Sequence, residues 1–99
     1  MKPIRFSKRF LKRYKKRIAS HKKLSKTFDK RYTLFAQGER DYPLNAHALT
    51  GQLSGKRAYS ITADIRVIYE ETDTAIIFLD IGTHNQVYWK QTLNSLLYN

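Results

Sequence analysis

Apolar residues recur along the first third of the chain at helical spacing. Phe10, Leu11, Tyr14 and Ile18 fall on one stripe, with Lys or Arg at nearly every position between them, the pattern of a helix with a single apolar face. Ser7, just ahead, is a residue whose hydroxyl can accept from the free N–H groups of a helix start. After a break at Ser20-His21 come Leu24, Phe28, Tyr32 and Phe35, at steps of four, four and three, and then Gly38, a residue suited to closing a helix. Two striped helices joined by a short polar connection predict an antiparallel pair that packs on something else.

The second half changes period. After the polar stretch 39–53, the segments Arg57 to Thr62, Ile65 to Glu71 and Ala75 to Ile81 are rich in Ile, Val, Tyr, Phe and Thr. Turn residues separate them at Ala63-Asp64 and at Thr72-Asp73-Thr74. These are three strands of an antiparallel meander. Ile4 and Phe6 are expected to add a strand at the N-terminus, and Val87 to Trp89 to begin a further strand or an extension after a turn at Gly82. Helices first and strands later imply an α+β domain with both helices on one sheet face, leaving the other for function. One domain over 1–99 is expected, with 89–99 as an extension. Its apolar residues Trp89, Leu93, Leu96, Leu97 and Tyr98 fit either a short helix over the core or a contact for a partner protein.

Composition narrows the function. The formal net charge is +11 in 99 residues, a field that attracts polyanions. Fourteen of the 19 Lys and Arg residues lie between Lys2 and Arg31, where Asp29 is the lone acid, so the charge is a patch on the helices. Nucleic acid is the first candidate partner. A membrane-surface helix or a calmodulin-type target helix is the weaker reading, because the aromatic stripes suit a core beneath a sheet. Cysteine is absent, which excludes disulfides, thiolate metal sites and a cysteine nucleophile. With no apolar leader and no run of about 18 apolar residues, a cytoplasmic protein is expected.

Three histidines are present. His21, between the helices, reads as solvated. His47 lies in the loop Leu44 to Gly51, and His84 follows a strand end marked by Gly82, which can take a positive φ, and Thr83, whose hydroxyl can stabilise a turn. Asp64 reads either as a hairpin corner or as a carboxylate facing the histidines. Arg66 interrupts an apolar strand run, which suits a solvated sheet face or an anion contact. Lys56, Arg57, Asp64, Arg66, His47 and His84 can converge on the uncovered face. Metal binding is disfavoured, since no H-x-x-x-H or H-E-x-x-H spacing occurs, and no glycine-rich phosphate loop or nucleophile elbow is present.

The two basic helices, the loop Leu44-Asn45-Ala46-His47-Ala48-Leu49-Thr50-Gly51, and the segments Arg57 to Ile61, Asp64 to Tyr69 and Ile81-Gly82-Thr83-His84-Asn85-Gln86-Val87-Tyr88 together resemble the RelE/ParE superfamily, and within it the YafQ-type messenger-RNA interferases. The resemblance implies two N-terminal antiparallel helices packed on one face of a mainly antiparallel four- to five-stranded sheet. It also implies a bacterial toxin that cleaves messenger RNA in the ribosomal A site without a metal or other cofactor, and that a cognate antitoxin neutralises. By position, His47, Asp64 and His84 match catalytic residues of YafQ-like toxins, Arg66 the arginine that steadies the phosphate in YoeB-like relatives, and Tyr88 an aromatic near the site. Ser60 stands where YafQ-like toxins carry another histidine, which leaves Asp64 and His47 both open as general base beside His84 as acid. Lys56, Arg57 and Ser60 are expected on the RNA path. Lys12, Arg13, Lys15, Lys16 and Lys23 are expected to dock on ribosomal RNA. The rival readings are a ParE-like gyrase inhibitor without nuclease activity, which has no need of the His47, Asp64 and His84 set, and a non-catalytic RNA-binding module.

Overall fold

The computed structural model describes residues 2–89. The element order is β1 (Ile4–Phe6), α1 (Lys8–Arg17), α2 (Lys22–Ala36), β2 (His47–Ala48), β3 (Arg57–Ser60), β4 (Ile65–Glu71) and β5 (Ile76–Thr83). A 3₁₀ turn spans Gly51–Leu53 and a π-helical turn Asn85–Trp89. The strands form one sheet in the order β1-β5-β4-β3-β2, with β1 parallel to β5 and the other pairings antiparallel. The α+β architecture with five strands agrees with the expectation. The proposed tail helix lies outside the described residues.

Both helix ends form for the reasons legible in the chain. Ser7 Oγ accepts from Phe10 N at 3.0 Å and caps α1. At the end of α2, Gly38 takes φ +98°, its N–H donates to Phe35 O, and Glu39 N donates to Leu34 O, both at 3.0 Å. This is the paired closure that a left-handed glycine permits. The helices run antiparallel, since Phe6 meets Tyr32, Phe10 meets Phe28, and Tyr14 meets Phe28 and Ser25.

Their shared apolar face covers Tyr59, Val67, Tyr69, Phe78 and Ile81 of the sheet. Phe78, fully buried, is ringed by Phe6, Phe10, Tyr32, Phe35, Tyr59 and Tyr69 at centroid distances of 5.3 to 6.4 Å, in the range where ring pairs contribute beyond their buried area. The opposite sheet face carries a second, smaller cluster of Ala58, Ile68 and Val87, with Leu49, Leu79 and Tyr88 against it.

Beyond Phe78 the outer edge of β5 has no strand partner among the described residues, because β1 pairs only with 76–78. Helix α1 satisfies that edge instead: Ser7 Oγ donates to Leu79 O at 3.2 Å and Arg17 Nη1 to Ile81 O at 2.8 Å. Asp80, 1% exposed, anchors the arrangement. Arg13 Nη1 lies 3.2 and 3.1 Å from its two carboxylate oxygens, Arg17 Nη1 lies 3.8 Å away, and Ile81 N donates to Oδ1 at 2.8 Å. Arg13 therefore turns inward as a structural ion pair, whereas Lys12, Lys15, Lys16 and Lys23 are exposed.

Candidate active site

Strand alternation sorts the candidate residues onto two faces, since directly opposed residues of neighbouring strands point the same way. His47 opposes Ala58, and Ala58 opposes Ile68, members of the small cluster. Arg66 opposes Ser60 on one side and Gly82 on the other. His47, Ser60 and Arg66 thus share the face away from the helices. Arg57 does not join them. It opposes Tyr69 of the main core, and its Nε donates to the Tyr69 hydroxyl at 3.2 Å. It lines a different cleft with Lys2, Arg40 and Glu71. In that cleft a hydrogen bond from Lys2, 2.9 Å away, holds the Glu71 carboxyl below its usual range. Lys56 stands just ahead of β3, where its backbone closes the 49–56 loop through Leu49 N to Lys56 O and Lys56 N to Leu53 O.

The C-terminal turn builds the rest. Strand β5 continues through Gly82 and Thr83 instead of turning at Gly82, and no further strand follows within the described residues. The chain turns at His84 because Thr83-His84-Asn85-Gln86 forms a reciprocal cap. Gln86 N donates to Thr83 Oγ1 at 3.2 Å and Thr83 N donates to Gln86 Oε1 at 2.9 Å, the arrangement favoured by a T-x-x-Q sequence. The turn folds back over the sheet, burying Val87 against Ala58 and Ile68.

Gly82 serves this turn through its small size and not through a positive φ. A Cβ at position 82 would lie 2.5 Å from Arg17 Nη1 and 2.6 Å from Gln86 Oε1, and both of those groups are held by their own hydrogen bonds. Gly82→Ala should therefore destabilise the fold by about 1–3 kcal/mol, the usual range for overpacking. Thermal unfolding checks this, at about 4–8 °C in Tm per kcal/mol for a domain of this size. An unchanged Tm would mean that Arg17 and Gln86 move aside freely.

Three candidate residues gather here. The His84 and Tyr88 rings lie edge to face with centroids 4.4 Å apart, and Arg66 sits close enough to the Tyr88 phenol to act on it electrostatically. Burial raises the Tyr88 phenol above its ordinary pKa, and the nearby charge of Arg66 pulls partly the other way. The phenol stays neutral near pH 7. Arg66 Nε is buried and has no hydrogen-bond partner among the described residues. His84 and Tyr88 also wall a groove of about 260 Å³, with Leu49, Thr50, Gln52 and Leu53 opposite.

His47 and Asp64 flank this trio without a direct bond to it among the described residues. His47 is exposed, with Nδ1 3.0 Å from Asn45 O. A carbonyl can only accept, so Nδ1 carries a proton and the neutral ring offers the Nε2 lone pair. Asp64 is exposed in the β3–β4 turn, where Thr62 Oγ1 accepts from the N–H groups of both Asp64 and Ile65. Ile65 opposes Thr83, so Asp64 and His84 leave adjacent strand ends one step beyond the last pair. No group of three or more His, Cys, Asp or Glu side chains that could hold a metal gathers among the described residues, and no described helix is long and apolar enough to cross a membrane.

A helix pair on one face of a five-stranded, mostly antiparallel sheet is the architecture of the RelE-like toxins. The staphylococcal YoeB dimer shares it, at TM-score 0.66 and 21% identity over 84% of this chain and 97% of that one. The model of the family described as the YafQ bacterial toxin of type II toxin-antitoxin systems matches residues 2–88, and the chain belongs to that family. Similar solved structures include the Escherichia coli DinJ–YafQ complex, at TM-score 0.73 and 26% identity, covering 89% of this chain and 99% of that one. Escherichia coli YafQ itself matches at TM-score 0.72 and 23% identity, with the same coverage. No curated protein sequence matches the chain.

Proposed function

We propose that this toxin is a metal-independent endoribonuclease that cleaves messenger RNA in the ribosomal A site and is held inactive by a cognate antitoxin. The observation that carries the reading is Arg66. A guanidinium on the sheet floor whose buried Nε–H has no hydrogen-bond partner among the described residues is suited to a phosphate oxygen, an acceptor that would offset a desolvation cost of roughly 1–3 kcal/mol. The ribose 2′-oxygen attacks the adjacent phosphorus, the bond to the 5′-oxygen breaks, and a 2′,3′-cyclic phosphate and a 5′-hydroxyl result. His47, its tautomer set by Asn45, takes the 2′-proton through Nε2. His84 in its imidazolium form gives a proton to the departing 5′-oxygen. Arg66 stabilises the charge developing on the phosphate, Tyr88 backs the His84 ring, and Asp64 stands at the neighbouring strand end. Lys12, Lys15, Lys16 and Lys23 dock on the phosphates of ribosomal RNA, each contact adding to the salt dependence of association. Lys56 and Ser60 border the RNA path, and the antitoxin relation of the DinJ–YafQ complex supports a protein partner for this chain.

The test is cleavage of a ribosome-bound message by the purified toxin, with the product ends analysed chemically. Cuts that leave cyclic phosphate and 5′-hydroxyl ends in the presence of a metal chelator are expected. Intact message, or 3′-hydroxyl and 5′-phosphate ends, would rule the mechanism out.

A further inference from the structure

Tyr42 is 85% exposed, yet the turn that carries it is held by hydrogen bonds on both sides. Leu44 N and Asn45 N both donate to Asp41 O, at 2.8 and 3.1 Å, and Ser60 N donates to Leu44 O at 2.8 Å. Arg31 Nη1 donates to Pro43 O at 3.0 Å, and the Leu44 side chain is fully buried in the main core. An aromatic ring is thus presented to solvent on a rigid mount. Beside it lies a cleft of about 210 Å³ whose walls include Arg31, Asn45, Ser60 and Thr62. Ligand pockets for whole small molecules run to roughly 300–1,000 Å³, so this cleft suits a single planar group. Its walls offer amide, hydroxyl and guanidinium donors, which can meet the edge of a nucleobase while the phenol ring stacks on its face.

The cleft adjoins the proposed phosphate site. Ser60, one of its walls, directly opposes Arg66 across β3 and β4, a separation of about 5 Å between Cβ atoms. Asn45, another wall, holds His47. A strand of RNA whose scissile phosphate rests at Arg66 therefore runs its neighbouring base toward Tyr42. Arg31, a further wall of the cleft, brings a cation suited to the same polyanion.

We propose that Tyr42, with Arg31, Asn45, Ser60 and Thr62, forms a stacking subsite for one base of single-stranded RNA flanking the scissile position. This rests on the nuclease reading for its register along the RNA, and the experiment separates the two. A 2′-O-methyl RNA hexanucleotide, which cannot be cut, is titrated against the native protein, Tyr42→Ala and Tyr42→Phe by fluorescence anisotropy at several salt concentrations. Tyr42→Ala should weaken binding roughly tenfold or more, the effect of removing one stacked base platform. Tyr42→Phe should bind within about twofold of native, because the ring face is kept. The slope of log Kd against log salt should be the same for all three, because stacking neutralises no phosphate. Circular dichroism should show the variants folded, as the side chain makes no core contact.

Equal binding of native protein and Tyr42→Ala would overturn the subsite, as would absence of hexanucleotide binding by the native protein. An effect confined to capture of the antitoxin would overturn it too, and would make the turn a protein contact. Weakened binding by Tyr42→Ala in a protein that leaves ribosome-bound message intact would keep the subsite and discard the nuclease reading.

Discussion

Replacing His84 by alanine is expected to lower kcat for message cleavage by about 10²- to 10⁴-fold, the span typical of a removed general acid or base, with KM nearly unchanged. The reason is positional. His84 is exposed and its ring touches Tyr88 at the rim of the groove, so its removal takes away a proton donor without emptying a core position. The turn that carries it is held by Thr83 and Gln86 and by burial of Val87, all of which survive the substitution. His84→Ala should therefore unfold at the native temperature and still bind uncleavable RNA. Single-turnover cleavage measured beside anisotropy separates the two quantities. A variant that cuts at the native rate would remove His84 from the chemistry, whatever its effect on binding.

The largest effect on stability is expected at Asp80, where the Asn substitution should cost about 3–5 kcal/mol, the range for removing one partner of a buried ion pair. Asp80 is almost wholly buried, and its carboxylate faces two arginines of α1. Desolvation and the neighbouring Arg13 charge both lower the pKa of Arg17, while Asp80 raises it. With asparagine in its place, two crowded guanidinium groups lose their counter-charge where water cannot replace it. At about 4–8 °C per kcal/mol, Tm should fall by well over 10 °C. Exposed pairs behave differently. Breaking Lys2–Glu71, whose side chains are each 36% exposed, is worth less than about 1 kcal/mol. Thermal unfolding of Asp80→Asn beside Glu71→Gln is the measurement, and equal small shifts would show that the Asp80 cluster carries no special weight.

Much of this molecule could be read in advance because its cues are local. The helix stripes, the Ser7 cap, the Gly38 closure and the three meander strands depend on residues within a few positions of one another, and the structure places them where the period predicts. The histidines, Asp64, Arg66 and Tyr88 were singled out by type, spacing and family likeness. Two departures from expectation, the face of Arg57 and the strand alternative for Val87 to Trp89, have signals in the chain. Arg57 and Ser60 lie three apart on one strand and so cannot share a face, and Thr83-x-x-Gln86 is itself a capping sequence that points to a helical turn in place of a further strand. Asp80 carries the same signal as Arg66, a charge inside an apolar strand run.

What the sequence by itself determined is the α+β class, the basic patch on the helices and the set of acid, base and cationic residue types on hand, since periodicity and composition are properties of the chain alone. Which cations are free was settled only by tertiary structure. Arg13 sits on the basic helix among exposed lysines, but the open edge of β5 brings Asp80 against it. Arg57 opens β3 next to Ala58 of the small cluster, but the pleat turns it to the other face. Arg66, Tyr88 and His84 come from a strand and a turn separated by a hairpin, and they meet because Val87 finds its apolar partners only across the sheet. Such pairings depend on which surfaces remain uncovered once the core has closed, and no local pattern encodes that.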